Sequence, residues 1–156
     1  MYKKITLISI IVFILDQISK YFIQNLIPLN ESIKVIKNFF YLTYVHNEGA
    51  AWSLFFKQRL FLIVISIFAL YIIIKYLKNF TNNKRNTIAF GLLIGGILGN
   101  FFDRVIFGYV KDFLDFRLFK YNYPIFNISD IAIFCGVVLI IYAIIKGEDH
   151  EDISRR

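Results

Sequence analysis

The stretch LFLIVISIFALYIII, residues 60–74, contains no charged side chain. Similar apolar runs occur at residues 5–15 (ITLISIIVFIL), 88–98 (IAFGLLIGGIL) and 131–145 (IAIFCGVVLIIYAII). None reaches about 18 uninterrupted apolar residues, but each extends to about 20 when polar residues at its edges are admitted. We therefore predict a mainly α membrane protein with four transmembrane helices, at about 5–24, 58–77, 87–103 and 128–146.

The composition agrees with this class. The chain has 156 residues, of which 58% are hydrophobic and 19% aromatic, and its length suits one compact domain. Four buried helices of a soluble bundle are the alternative. That alternative is disfavoured because no stretch has a charged face that repeats at helical spacing.

Basic residues predict the orientation. Lys3 and Lys4 precede the first apolar run, and the short connection at 75–85 is also basic. By the positive-inside rule both termini lie in the cytoplasm. No small-residue cleavage site follows the first run, so we expect it to remain as a helix. The charged tail, 147–156, is predicted to be disordered.

The net charge of +7 could indicate nucleic-acid binding, but the basic residues are spread over every connection. Contact with anionic lipid headgroups explains that spread better, and we expect membrane lipids and no nucleic acid as partners. Cys135 lies alone in the fourth run, so no disulfide is expected. His46 and His150 lack zinc-protease spacing. We predict no metal and no cofactor, and we interpret His46 as a surface or interface residue.

Two connections are predicted on the outer side of the membrane. Residues 29–57 are rich in β-branched and aromatic side chains around the turn Asn47-Glu48-Gly49, which is typical of strands. We interpret this segment as a small β-rich cradle on the outer face, at the membrane interface. The second connection, 104–127, is expected to be an outer loop.

Several polar residues lie in or beside the predicted helices. Asp16 and Lys20 are four residues apart on the first helix and can pair on a face that points into the protein. Asp103 and Arg104 are expected to form a local pair at the end of the third helix. The glycines of that helix have the small-residue spacing that allows close helix approach: Gly91, Gly95, Gly96 and Gly99.

Asp112 and Asp130 are candidate catalytic residues. Asn127 and Asp130 suit an N-terminal cap of the fourth helix, whereas Asp112 lies in an apolar setting without such an explanation. The topology holds both aspartates at the outer membrane boundary, where they can meet. Two carboxylates in a poorly hydrated site share one proton and can hydrolyse a peptide by acid-base chemistry. Asp115 is the rival for the role of Asp112.

At these positions the sequence resembles the lipoprotein signal peptidase family, bacterial signal peptidase II. The matching residues, in chain order, are Asp16-Gln17 with Lys20, Asn47-Glu48-Gly49-Ala50-Ala51, Gly99-Asn100 with Asp103-Arg104, Val110 with Asp112-Phe113, and Phe126-Asn127 with Asp130. Two departures are Ser129, where the family usually has alanine, and Trp52, where it usually has phenylalanine. Several ordered motifs over nearly the whole chain are more specific than any one of them.

The resemblance implies an aspartic endopeptidase with Asp112 and Asp130 as its dyad. It also implies supporting or substrate-binding roles for Asp16, Lys20, Asn47, Gly49, Asn100, Arg104 and Asn127. The implied substrate is a prolipoprotein whose lipobox cysteine carries diacylglycerol, cut on the amino side of that cysteine. The implied location is the bacterial plasma membrane, with the site at the outer face, and we expect a monomer.

Two other functions are compatible with the polar residues. A small proton-coupled carrier also uses intramembrane Asp, Lys and Arg, although no internal repeat is visible. A membrane scaffold without catalytic activity would use the same acids only as caps and ion pairs.

Overall fold

The computed structural model describes residues 1–49, 55–118 and 121–149. Four helices cover most of this length: α1 Tyr2–Leu26, α2 Arg59–Leu77, α3 Lys84–Ile106 and α4 Ile128–Ile145. Each is long and apolar enough to cross a membrane. Large apolar side chains such as Leu60, Phe134 and Ile145 are exposed on them, which favours lipid around the helices over the soluble alternative.

Helix α3 lies at the centre of the helices. In its most apolar part 56% of the residues are buried inside the protein, compared with 11% in α2. Glycine makes this central position possible, because a Cβ atom at Gly95 would lie 2.7 Å from the carbonyl oxygen of Ser9 on α1. At Gly99 a Cβ atom would lie 2.1 Å from Ser129 Oγ on α4. The predicted role of these glycines in close helix packing is confirmed.

A small antiparallel sheet lies at one end of the helices. Its strands are β1 Ser32–Ile36, β2 Phe40–Asn47, β3 Val110–Leu118 and β4 Tyr121–Asn122, in the order β1-β2-β3-β4. Tyr44 and Phe113 from the two central strands form a buried cluster with Ile23 and Ile27 at the end of α1. This cluster fixes the sheet against the helix and places the end of β2 beside the start of β3.

The structure corrects two sequence predictions. The segment 104–127 is not simply a loop, because it contains the last turn of α3 and the nine-residue strand β3. Strand β3 pairs with β2, so the sheet is not built from residues 29–57 alone. Helix α3 also begins earlier than predicted, since Asn83 caps it by accepting a hydrogen bond from Asn86 N at 2.8 Å. Trp52, noted as a departure from the family pattern, and the predicted disordered tail beyond residue 149 lie outside the described residues.

Candidate active site

Asp112 and Asp130 line one cavity of about 170 Å³ at the sheet end of the helices. Asp112 comes from β3 and Asp130 from the first turn of α4, so two distant parts of the chain meet here. The other lining residues are Asn47, Asn100, Arg104, Val110, Tyr123, Pro124, Ile125 and Phe126. The expectation that the two carboxylates come together at one boundary therefore matches the geometry.

Asp112 is only 2% exposed and accepts two amide hydrogen bonds. Asn47 Nδ2 donates to its Oδ2 at 2.8 Å, and Asn127 Nδ2 donates to its Oδ1 at 2.6 Å. Burial and the charge of Asp130 together raise the pKa of the Asp112 carboxyl to about 7, against the opposing effect of the two amides. The carboxyl can therefore hold a proton close to neutral pH.

Asp130 is held by the start of its own helix. Asn127 and Asp130 form the predicted capping box: Asp130 N donates to Asn127 Oδ1 at 3.0 Å, and Asn127 N donates to Asp130 Oδ2 at 3.1 Å. The other carboxylate oxygen of Asp130 accepts a hydrogen bond from Asn100 Nδ2 at 2.7 Å. The cap therefore also orients Asp130 in the cavity.

A chain of amides connects the two carboxylates. Asn127 Nδ2 lies 2.6 Å from Asp112 Oδ1 and 3.1 Å from Asn100 Oδ1, and Asn100 Nδ2 then reaches Asp130. Both oxygens of each carboxylate thus accept a hydrogen bond. Two carboxylates in one poorly hydrated cavity can share one proton, which is the arrangement required for combined acid and base chemistry.

A second cluster of charged residues lies next to Asn100 and is fully buried. Lys20 Nζ lies 2.7 Å from Asp16 Oδ2 and 3.0 Å from Asp103 Oδ2, and all three side chains are 0% exposed. Lys20 Nζ also donates to Asn100 Oδ1 at 3.1 Å. Because the ammonium holds Oδ1 of Asn100, the amide nitrogen of that side chain is directed to Asp130.

The predicted local pair of Asp103 with Arg104 is wrong. Asp103 pairs with Lys20 across the helix interface and accepts a further hydrogen bond from Gln17 Nε2 at 3.1 Å. Successive residues of a helix point in different directions, so Arg104 faces the cavity while Asp103 faces α1. The partner of Asp103 is 83 positions away in the sequence, and no local spacing links the two residues.

Arg104 connects α3 to the turn after β2. Its Nη2 donates to the carbonyl oxygen of Gly49 at 3.0 Å, and its Nη1 lies 3.4 Å from that of Asn100. Gly49 N donates in turn to Asn47 Oδ1 at 2.9 Å, which directs Asn47 Nδ2 to Asp112. The supporting residues expected from the sequence therefore line the cavity or contact a residue that does, except Asp16, which is linked to it through Lys20.

Asp115 lies outside the cavity and has its own partners. Its Oδ2 accepts hydrogen bonds from Thr43 Oγ1 at 2.7 Å and from Arg117 Nη2 at 2.6 Å. In the sheet Asp115 is opposite Tyr41, whereas Asp112 is opposite Val45 near the end of β2. The geometry thus separates the two rivals.

The sequence predictions did not include one wall of the cavity. Tyr123, Pro124 and Ile125 form this wall, and they follow β4 immediately. The residue before a proline is biased to an extended backbone, and this was the one signal for a non-helical wall here.

A family model and two relatives of known name agree on one family. A family model described as signal peptidase (SPase) II matches residues 8–146. A lipoprotein signal peptidase of Alteromonas mediterranea is 43% identical over 147 residues, which cover 91% of this chain and 80% of the relative. One of Staphylococcus aureus is 40% identical over 146 residues, which cover 93% of this chain and 90% of the relative.

Solved structures share the fold of this chain. Two structures described as bacterial membrane enzymes each match with a TM-score of 0.79. One is 40% identical and covers 90% of this chain and 86% of its own, and the other is 38% identical and covers 90% and 91%. The similarity extends over the helices and the sheet that together form the cavity.

Proposed function

Because the chain belongs to the signal peptidase II family, we propose that it is an aspartic endopeptidase that removes the signal peptide from prolipoproteins. The bond cut lies on the amino side of a lipobox cysteine that already carries diacylglycerol. One observation carries the proposal: Asp112 and Asp130 line the same cavity and are joined through Asn127 and Asn100. The chain is a multi-pass protease of the bacterial membrane.

In the proposed reaction the two carboxyl groups hold one proton between them. The ionised group accepts a proton from a water molecule, whose oxygen forms a bond to the scissile carbonyl carbon. The protonated group donates its proton to the carbonyl oxygen, which gives a tetrahedral diol. A proton then passes to the leaving nitrogen as the C–N bond breaks. The signal peptide now ends in a carboxyl group, and the other product begins with the cysteine and its free amine.

The amides and Arg104 prepare the cavity for this reaction. Hydrogen bonds from Asn47, Asn100 and Asn127 fix the carboxylates, which reduces the reorganisation required during catalysis. The raised pKa of Asp112 lets the pair retain its one proton near neutral pH. Arg104, beside the cavity, supplies positive charge close to both carboxylates.

The position of the cavity suits a lipid-modified substrate. Lys20 and Arg104 lie near the C-terminal ends of α1 and α3, and Asp130 lies in the first turn of α4. These helix ends are at one membrane boundary. A cysteine that carries diacylglycerol is held at the headgroup level, so its peptide bond meets the cavity there. We assign this boundary to the outer face of the plasma membrane, with both termini cytoplasmic, and we expect a monomer surrounded by lipid.

The dyad is tested with Asp112→Asn and Asp130→Asn, each assayed on a diacylglyceryl-modified prolipoprotein peptide. We expect each substitution to lower kcat by about 10²–10⁴-fold, the usual contribution of general acid-base catalysis. Asp115→Asn is the matched control on the same strand and should retain most activity. Normal cleavage by either dyad variant contradicts the aspartic mechanism.

The orientation is tested with single cysteines in a Cys135→Ser background, because Cys135 is the one native cysteine. In intact spheroplasts a membrane-impermeant maleimide should label Lys34→Cys, in the sheet, and leave Lys78→Cys unlabelled until the cells are opened. The reverse pattern would place the cavity on the cytoplasmic side.

A further inference from the structure

His46 forms an aromatic stack at the end of β2, one residue before Asn47. Its ring is nearly parallel to that of Tyr109, with 3.5 Å between the centroids and 17° between the planes. His46 is half-buried, so the stack adds a tertiary contact that its interpretation as a surface or interface residue did not include. Tyr109 immediately precedes β3, the strand that carries Asp112.

The imidazole of His46 also has a partner on its own strand, Tyr44. His46 Nε2 and Tyr44 Oη share a hydrogen bond at 2.8 Å. Tyr44 is 6% exposed and packs with Ile23 at the end of α1. His46 therefore connects a fixed point on the helix with the segment that leads into β3.

The stack lies next to the contact between Asn47 and Asp112. In the register of the two strands His46 is opposite Lys111 and Asn47 is opposite Val110, so the catalytic candidate Asp112 follows directly. Asn47 is the last residue of β2 and is only half-buried. The ring stack acts together with the strand pairing and the Asn47–Asp112 hydrogen bond to hold this end of β2 against the start of β3.

We propose that His46 is a positioning residue that keeps the amide of Asn47 on Asp112. The inference rests on the proposed function, because it assigns His46 a part in the same dyad. His46 does this by stacking on Tyr109 and by its hydrogen bond to Tyr44. Without the stack the end of β2 separates from β3, and Asp112 loses one of its two amide donors.

The charges around both groups support a neutral imidazole in this role. Burial lowers the pKa of His46, and Lys111 lowers it further, while Glu48 opposes the shift. Burial raises the pKa of the Tyr44 phenol to about 12, so its hydroxyl stays protonated. The charges that act on Asp112 include those of Asp130, Lys20 and Arg104, and a neutral imidazole adds none of its own. The effect of His46 on Asp112 is therefore expected to pass through the position of Asn47.

The test uses the full-length protein in lipid bilayers and the diacylglyceryl-modified peptide. We expect His46→Ala and Tyr109→Ala each to lower kcat by about 10-fold or more, with KM nearly unchanged, because a displaced supporting group misplaces the reacting groups. The double variant should be no worse than either single variant, because both remove the same stack. His46→Phe restores the stack and should recover part of kcat. Tyr41→Ala is the control variant, because Tyr41 lies near the other end of the β2–β3 pair. It removes the contact of the Tyr41 ring with Arg117, 3.9 Å away, and should leave kcat unchanged.

A second readout separates positioning from simple loss of stability. The amide of Asn47 favours the ionised form of Asp112, so the pKa of that carboxyl should rise further in His46→Ala. An infrared carboxyl band that is absent in Asp112→Asn reports this titration without any turnover. An unshifted band in His46→Ala, or a kcat equal to that of the unmodified enzyme, overturns the inference. If the unmodified protein fails to cleave the peptide, the proposed function fails, while a shifted band still supports the positioning contact.

Discussion

Two pairs of aspartates lie on either side of Asn100 and differ in how their charge is compensated. Asp16 and Asp103 share the ammonium of Lys20, and all three groups are fully buried. Asp112 and Asp130 have neutral amide donors and line a cavity. A carboxylate paired with an ammonium has its charge compensated directly, whereas one that accepts only from neutral amides has no such counter-charge. The difference in partners indicates which acids are available for chemistry.

The largest effect is expected when Asp16 and Asp103 lose the ammonium of Lys20. Lys20→Met leaves two buried carboxylates without their ammonium, which typically costs about 3–5 kcal/mol of folding free energy. We expect a large loss of thermal stability in detergent and no measurable cleavage. Adding Asp16→Asn and Asp103→Asn should restore most of the stability, because no buried charge is then uncompensated. If Lys20→Met is as stable as the unmodified protein, the cluster is not the anchor that we describe.

The next effect concerns Asn100, which joins the two pairs. Asn100→Ala removes the donor to Asp130 and the acceptor for Lys20, and we expect kcat to fall by about 10²-fold, as for other positioned donors. Asn86→Ala is the matched control, since Asn86 is a buried asparagine near the opposite end of α3. Asn86→Ala should lower the stability of the protein and leave kcat unchanged. Equal kcat values in the two variants would contradict the role of Asn100.

The pH dependence of stability distinguishes the pairs. The pKa of Asp112 is raised in the folded protein to about 7, so folding retains a proton that the unfolded chain releases. This contribution to stability is complete below the unfolded pKa and is lost as the pH rises to about 7. From pH 4 to pH 8, the Tm of the unmodified protein should therefore fall more steeply than that of Asp112→Asn. Parallel Tm curves would show that Asp112 is already ionised at low pH.

The smallest effect is expected at Asp115, which belongs to neither pair. Its partner Arg117 is 40% exposed, and such ion pairs contribute about 0–1 kcal/mol. We expect Asp115→Asn to lower the Tm only slightly. A loss of stability as large as that of Lys20→Met would mean that burial, and not the cation, distinguishes the two pairs.

Local patterns predicted much of this molecule. Long apolar runs predict membrane helices, because in the bilayer a helix satisfies the hydrogen bonds of its own backbone. The spacing of Asp16 and Lys20 on one helix predicts their pair. The Asn127 cap of α4 was likewise predicted from residues that are neighbours in the sequence. The convergence of Asp112 and Asp130 required one further step, the alternation of helix direction across the membrane.

Contacts between distant residues could not be predicted in the same way. Asp103 pairs with Lys20 and not with its neighbour, because the packing of α3 on α1 decides which side chain faces inward. Strand β3 was missed because the alternation of polar and apolar residues breaks at Lys111-Asp112 and at Phe113-Leu114, and its pairing with β2 determines its structure. The stack of His46 on Tyr109 likewise depends on the register of two strands.

The interlocked asparagines have a consequence for how the protein is made. Asn47, Asn100 and Asn127 come from β2, α3 and the start of α4, so the cavity is assembled from segments that emerge from the ribosome at different times. The α4 cap supplies both Asp130 and the amide that holds Asp112. A partly synthesised chain that has inserted three helices therefore lacks Asp130 and the amide that holds Asp112. Completion of membrane insertion and completion of the proposed active site then become the same event.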